Sequence, residues 1–210
     1  MKLYGSYGDD FLVGGPSRDT VYGGGGHDRL LGRDGDDELY GADHCDCDTA
    51  IWTPEEWSAD QDVIAGGNGN DTIFGDSCRR DEGLCPLFDP SAGGHDRIYG
   101  NAGSDVIFGG GDDDTIFGGA DSDTIHGDTD QDATDLRGVG GNDELNGESG
   151  ADTIYGGPGE DSIHGSAGLD RLFGGAGNDQ IFGEADADMI FGDVQPADPS
   201  DEGADLIEGG

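Results

Sequence analysis

Residues Gly66–Gly75 read GGNGNDTIFG. Three glycines and two asparagines fill the five positions ahead of Asp71, a density that no ordinary helix or strand interior accepts. The first half of the stretch must therefore turn sharply, because glycine admits the positive φ angles of a tight loop. The second half, Asp71 to Phe74, predicts a three-residue strand whose middle side chain, Ile73, points inward. Counted in nines, the register holds back to Gly5 and forward to Gly209, interrupted by four insertions. Seventeen repeats open at Gly5, Gly14, Gly23, Gly32, Gly41, Gly66, Gly75, Gly100, Gly109, Gly118, Gly127, Gly147, Gly156, Gly165, Gly174, Gly183 and Gly192. Position eight is Leu, Ile or Val in every repeat, from Leu12 to Ile207.

Two loops and two strands make one coil of 18 residues, and stacked coils make two parallel sheets face to face with a thin aliphatic core. Nine coils at the strand spacing give a rod of about 43 Å. No single repeat buries enough to be stable alone, so the stack forms as a whole. The expectation is one all-β domain spanning residues 1–210.

Composition narrows the partners. Of 210 residues, 48 are acidic and 9 basic, a formal charge of −39, while hydrophobics supply only 32 %. Such a chain does not fold unaided unless something brings positive charge. Nucleic acid is excluded as a partner, since phosphate would be repelled. No apolar run is long enough for a membrane span, and MKLYGSYGDD lacks the apolar centre of a signal peptide. Divalent cations are the missing charge.

Position six is aspartate in all seventeen repeats: Asp10, Asp19, Asp28, Asp37, Asp62, Asp71, Asp96, Asp105, Asp114, Asp123, Asp143, Asp152, Asp161, Asp170, Asp179, Asp188 and Asp205. With these aspartates the nonamer resembles the GGxGxDxUx repeat of the RTX (repeats-in-toxin) family, over residues 5 to 208. The resemblance implies a right-handed parallel β-roll solenoid with Ca²⁺ between the loops of successive coils. It also implies that loop carbonyls and the position-six carboxylates are the ligands, which suits a hard cation taking 6–8 oxygens. If every gap between neighbouring loops fills, about fifteen ions bind and cancel most of the charge.

The insertions lie in the repeats at Gly41, Gly75, Gly127 and Gly192, at about 43–59, 77–92, 129–139 and 194–201. All four are odd-numbered repeats, so all four should leave from one edge of the roll. Asp76, Asp128 and Asp193 stand where the second glycine would be, and Asp128, Asp130, Asp132 and Asp135 alternate as in a hand-type calcium loop. Additional calcium ligands and solvated acidic loops are the two readings. The cysteines, Cys45, Cys47, Cys78 and Cys85, occur only in the first two insertions, one coil apart. Two disulfides joining the insertions are the favoured reading; a Cys78–Cys85 bridge and a soft-metal set with His44 are the alternatives. Trp52 and Trp57 form either a local mini-core or a carbohydrate platform.

Position nine is aromatic along the even-numbered repeats: Tyr22, Tyr40, Phe74, Phe108, Tyr155, Phe173 and Phe191, with His126 in the one gap and Tyr4 ahead. Alternation puts these rings on an outer face, as a shielding ladder or a lateral contact surface. Fragments such as Phe74–Ser77 (FGDS) and Asp123–His126 (DTIH) imitate a serine-hydrolase signature, but the repeat itself generates them, and no HExxH or GxSxG occurs. The sequence therefore predicts a secreted, extracellular or cell-surface calcium-binding protein with a structural or adhesive role, not an enzyme. A folding or secretion module of a larger exported enzyme or adhesin is the alternative. Lys2-Leu3-Tyr4 supply a strand ahead of Gly5, completing nine coils, so a second copy could stack in phase, head to tail, into filaments. A glycan or surface partner would engage the insertions.

Overall fold

The computed structural model describes residues 1–42, 61–76, 93–128, 140–192 and 204–210. Eighteen short strands lie among them. The first six are β1 (Lys2–Tyr4), β2 (Phe11–Val13), β3 (Thr20–Gly24), β4 (Arg29–Asp34), β5 (Glu38–Ala42) and β6 (Val63–Asn68). Then come β7 (Thr72–Phe74), β8 (Arg97–Ala102), β9 (Val106–Gly110), β10 (Thr115–Ala120), β11 (Thr124–Asp128) and β12 (Glu144–Ser149). The last are β13 (Thr153–Pro158), β14 (Ser162–Ala167), β15 (Arg171–Ala176), β16 (Gln180–Ala185), β17 (Met189–Phe191) and β18 (Leu206–Glu208). Odd strands form one nine-stranded sheet and even strands a second, each strand bonded to those two before and two after it. Every pairing is parallel, and the chain is the expected β-roll. Among the described residues no helix is long and apolar enough to cross a membrane.

The register is the nonamer's own. Leu3 pairs with Val21, Leu39 with Ile73 and Ile73 with Ile107, so like positions stack on like. Position eight fills the space between the sheets. Val21, Leu39, Ile73, Ile107, Ile125, Ile154 and Leu172 from one sheet meet Leu30, Ile64, Ile98, Ile116, Leu145, Ile163 and Ile181 from the other, all fully buried. Burial of each such side chain stabilises the roll by about 1.5–3 kcal/mol. Leu3, Leu12 and Ile190 pack on the ends of this core, and Ile207, in the last coil, is exposed. Substituting Ile116 by Ala should cost about 2–5 kcal/mol.

The outward position-nine rings form one continuous file on the odd sheet, from Tyr4 through Tyr22, Tyr40, Phe74, Phe108, His126, Tyr155 and Phe173 to Phe191. Ring centroids are 4.7–5.1 Å apart, the spacing of neighbouring strands. Each ring covers the face of the next, so the file presents mainly ring edges. The even sheet carries shorter stacks, Tyr99 on Phe117 and His164 on Phe182.

All four insertions fall where the chain crosses from an odd strand to the following even one: β5 to β6, β7 to β8, β11 to β12 and β17 to β18. They share one edge, as their odd numbering predicts, and the eight connections along the other edge are uninterrupted. The cysteines, Trp52, Trp57, Asp130, Asp132, Asp135 and Asp193 lie outside the described residues.

Most of the uninterrupted loops turn at positions two and four, which take the left-handed conformation, as at Gly67 (φ 126°) and Gly69 (φ 130°). Glycine is not obligatory there: Arg33, Asn101, Glu148, Ser166 and Glu184 hold position two at φ 66–88°. What demands glycine at several sites is the carbonyl of the preceding coil. A methyl group on Gly168 would overlap the carbonyl oxygen of Gly150, whereas Gly8, also at position four, has open space around it. Gly168→Ala should therefore destabilise the roll by more than about 1 kcal/mol, and Gly8→Ala should stay within about 0.5 kcal/mol of wild type, measured by denaturant unfolding in calcium.

Candidate metal centres

The position-six aspartates stand at the junction of loop and strand, on both edges of the roll. Their backbone groups are spent on the stack. From Asp10 to Asp179 the carbonyl of each accepts a hydrogen bond from the position-seven N–H of the next coil, as Asp37 O does from Thr72 N at 2.9 Å. The N–H of each donates to the Oδ1 of the position-six aspartate one coil on. One ladder runs Asp10, Asp28, Asp62, Asp96, Asp114, Asp143, Asp161, Asp179, Asp205, with eight rungs of 2.7–3.2 Å. The other runs Asp19, Asp37, Asp71, Asp105, Asp123, Asp152, Asp170, Asp188, with seven rungs of 2.7–3.0 Å.

This leaves the second carboxylate oxygen. The Oδ2 atoms of Asp37, Asp71, Asp105, Asp114, Asp123, Asp143, Asp152, Asp161, Asp170 and Asp188 are buried without a hydrogen-bond partner. Each lies against the first glycine of its own repeat. A methyl group on Gly66 would overlap Asp71 Oδ2 and meet Gly100 O of the next coil at 2.9 Å; one on Gly118 would sit 2.5 Å from Asp123 Oδ2 and 3.0 Å from Gly147 O. A carboxylate oxygen and a carbonyl oxygen thus converge on one side of the loop with no donor between them. A cation placed between them satisfies both without protonating the carboxylate, and oxygen-only ligation suits a hard one. Among the described residues no three His, Cys, Asp or Glu side chains converge on one point, so backbone carbonyls must complete any coordination shell.

The first coil is different. Asp10 Oδ2 accepts from Ser6 N at 2.6 Å and Ser6 Oγ at 2.8 Å, and Asp19 Oδ2 accepts from Gly15 N at 2.5 Å. There the loop's own donors satisfy the oxygen that the inner coils leave bare.

Without a counter-charge, burial favours the protonated form of the inner position-six aspartates. Desolvation raises Asp71 and Asp152 to about 6, Asp105, Asp123 and Asp143 to about 7, and Asp161 to about 8. Asp114 is pushed to about 11 by desolvation, with the charges of Asp96 and Asp143 adding to it. Because the folded values lie above the unfolded 3.8, the metal-free roll binds more protons than the unfolded chain. This stabilisation is complete below pH ~4 and is lost as pH rises through about 6 to 8. Metal-free protein should thus show more β structure by circular dichroism at pH 4 than at pH 7.5, whereas calcium binding should weaken toward acid.

Of the insertion aspartates, two are described, both at the neck where an insertion leaves and returns. Asp76 Oδ2 accepts from Gly94 N at 2.9 Å, and Asp128 Oδ1 accepts from Gly141 N at 3.1 Å. Reading the sequence missed this clasp. It also missed an outer ladder at position five, where a polar side chain accepts from the position-five N–H of the next coil: Asp36 from Asn70, Asn70 from Ser104, Asp113 from Asn142 and Asn142 from Glu160, at 2.7–3.0 Å. The recurrence of Asp, Asn and Ser at that position was the available signal.

The family model for the RTX calcium-binding nonapeptide repeat matches residues 4–43, 58–77, 91–125, 137–172 and 164–195, more than half of the chain. Its first two breaks, 44–57 and 78–90, fall within the first two insertions, and the third, 126–136, overlaps the third insertion. A search of curated proteins found no match.

Proposed function

The chain belongs to the RTX calcium-binding nonapeptide-repeat family, and on that footing we propose that it is a calcium-loaded structural or adhesive protein that folds when the ion binds. The observation that carries this reading is the row of buried Oδ2 atoms, which from Asp37 to Asp170 lie beside a glycine carbonyl of the next coil. The ligands are the position-six carboxylates and the loop carbonyls, with an ion in each of the gaps that the two ladders bridge, about fifteen in all. Bound calcium supplies the charge that the carboxylates need, so its binding free energy becomes folding free energy. In a calcium-poor compartment the chain remains an acidic coil; in a calcium-rich medium it closes into the rod. The role is carried out outside the cell and is not catalytic. Rods associate end to end, and the insertion-bearing edge meets a glycan or surface partner. Supporting this are the formal charge of −39, which calcium neutralises, and the placement of all insertions on one edge.

Asp114→Asn tests the site directly. The amide keeps the Oδ1 acceptor of the rung and puts a donor where Oδ2 faces Gly127 O. Metal-free stability should rise by about 1–3 kcal/mol, because a buried unsatisfied group is removed, while bound calcium falls in equilibrium dialysis. Circular dichroism that is unchanged between millimolar Ca²⁺ and excess chelator would overturn the folding role. Light scattering and electron microscopy in the same two conditions test assembly, with elongated oligomers expected only in calcium.

A further inference from the structure

Insertions at the seventh and eleventh repeats interrupt the loop between positions two and three, and at both places position two is aspartate. Each side chain does more than clasp the neck. At the eleventh repeat a methyl group on Gly127 would overlap Asp143 Oδ2 and meet Gly156 O at 2.5 Å. A methyl group on Gly140 would overlap Asp128 Oδ2 and Pro158 O. The carboxylates of positions six and two thus face the carbonyls of positions one and three in the next coil. Asp143 is only 2 % exposed, and its Oδ2 has no hydrogen-bond partner. Asp128 Oδ2 is likewise buried without a partner.

The seventh repeat sets the corresponding atoms in the same places, with Asp76 Oδ2 also accepting from Gly94 N at 2.9 Å. Asp96 Oδ2 and Gly109 O flank Gly75, while Asp76 Oδ2 and Gly111 O flank Gly93. An ordinary gap has glycine or another side chain at position two and brings one carboxylate to this place; these two gaps bring two.

We propose that the two necks are double-carboxylate calcium sites, Asp76 with Asp96 and Asp128 with Asp143, tighter than the ordinary gaps and closing the base of each insertion. The proposal rests on the calcium reading above and assigns to these gaps a distinct affinity class. Ligand charge tunes calcium affinity over orders of magnitude, so the second carboxylate should tighten each neck by about tenfold or more. An ion in the eleventh-repeat gap would join residues on both sides of the insertion: Asp128 before it and Asp143 after it.

The test is calcium titration of the metal-free full chain against a fluorescent chelator, with folding in calcium checked by circular dichroism. Wild type should show two sites about tenfold tighter than the rest. Asp128→Asn and Asp76→Asn each retain an amide oxygen for the neck clasp but lose the charge, and each should remove one tight site. Asp128→Glu, which keeps the charge, should retain the tight site, and Asp152→Asn, on the other edge, should leave both. Either neck variant suffices for the test if the other does not fold. A folded neck variant that keeps both tight sites, or a wild type whose sites all bind alike, overturns the neck proposal and leaves the calcium reading standing. A wild type that binds no calcium overturns both.

Discussion

A carboxylate oxygen sealed from water with no donor facing it is the constraint on which this roll depends. Each inner position-six aspartate gives its N–H, its C=O and one carboxylate oxygen to the neighbouring coils, and that is what aligns one coil on the next. The same engagement fixes the side chain so that its remaining oxygen cannot turn to solvent. An isolated buried charge costs many kcal/mol, more than any one aliphatic side chain of the core returns. The stack is therefore stable only when each such oxygen is neutralised, by a proton or by a cation shared with the next loop. Stacking geometry and ion demand are two sides of one arrangement.

The remaining features follow from a core one residue thick. Position eight supplies a single inward side chain per strand, so neither sheet can stand without the other, nor one coil without its neighbours. The ring file on the odd sheet adds a second continuous contact along the rod, on the side away from the core. Carbonyls directed along the stack exclude a Cβ at positions such as Gly168, where the preceding coil already occupies the space. Left-handed backbone is the lesser demand, since Arg33, Glu148 and Glu184 meet it without glycine.

Much of this was legible from GGNGNDTIFG. The invariant aspartate and aliphatic positions predicted the 18-residue coil, the two parallel sheets, the register, the ring file and the common edge of the insertions, because each depends only on counting in nines. What counting could not reach depends on three-dimensional neighbours. That one oxygen of Asp71 is used and the other bare follows from where Asp37 N and Gly100 O lie in adjacent coils. The clasp of Asp128 on Gly141 joins residues separated by an insertion, so no local pattern announces it. Why a few loops tolerate left-handed aspartate, as at Asp112 and Asp121, while others keep glycine has no signature within the nonamer.

The pairing of Leu39 with Ile73 has a further consequence. Those residues are 34 apart, whereas Leu3 and Val21 are 18 apart, yet both pairs meet in the same register. Sequence length has been uncoupled from position along the rod: a crossing on the insertion edge lengthens the chain without lengthening the solid. The roll thus works as a graduated ruler, on which each coil is one mark of strand spacing and each insertion is attached at a whole number of marks from the others. The seventh- and eleventh-repeat insertions stand two coils apart whatever residues they contain, so segments of unrelated composition can be held at set intervals by a scaffold that does not register their presence.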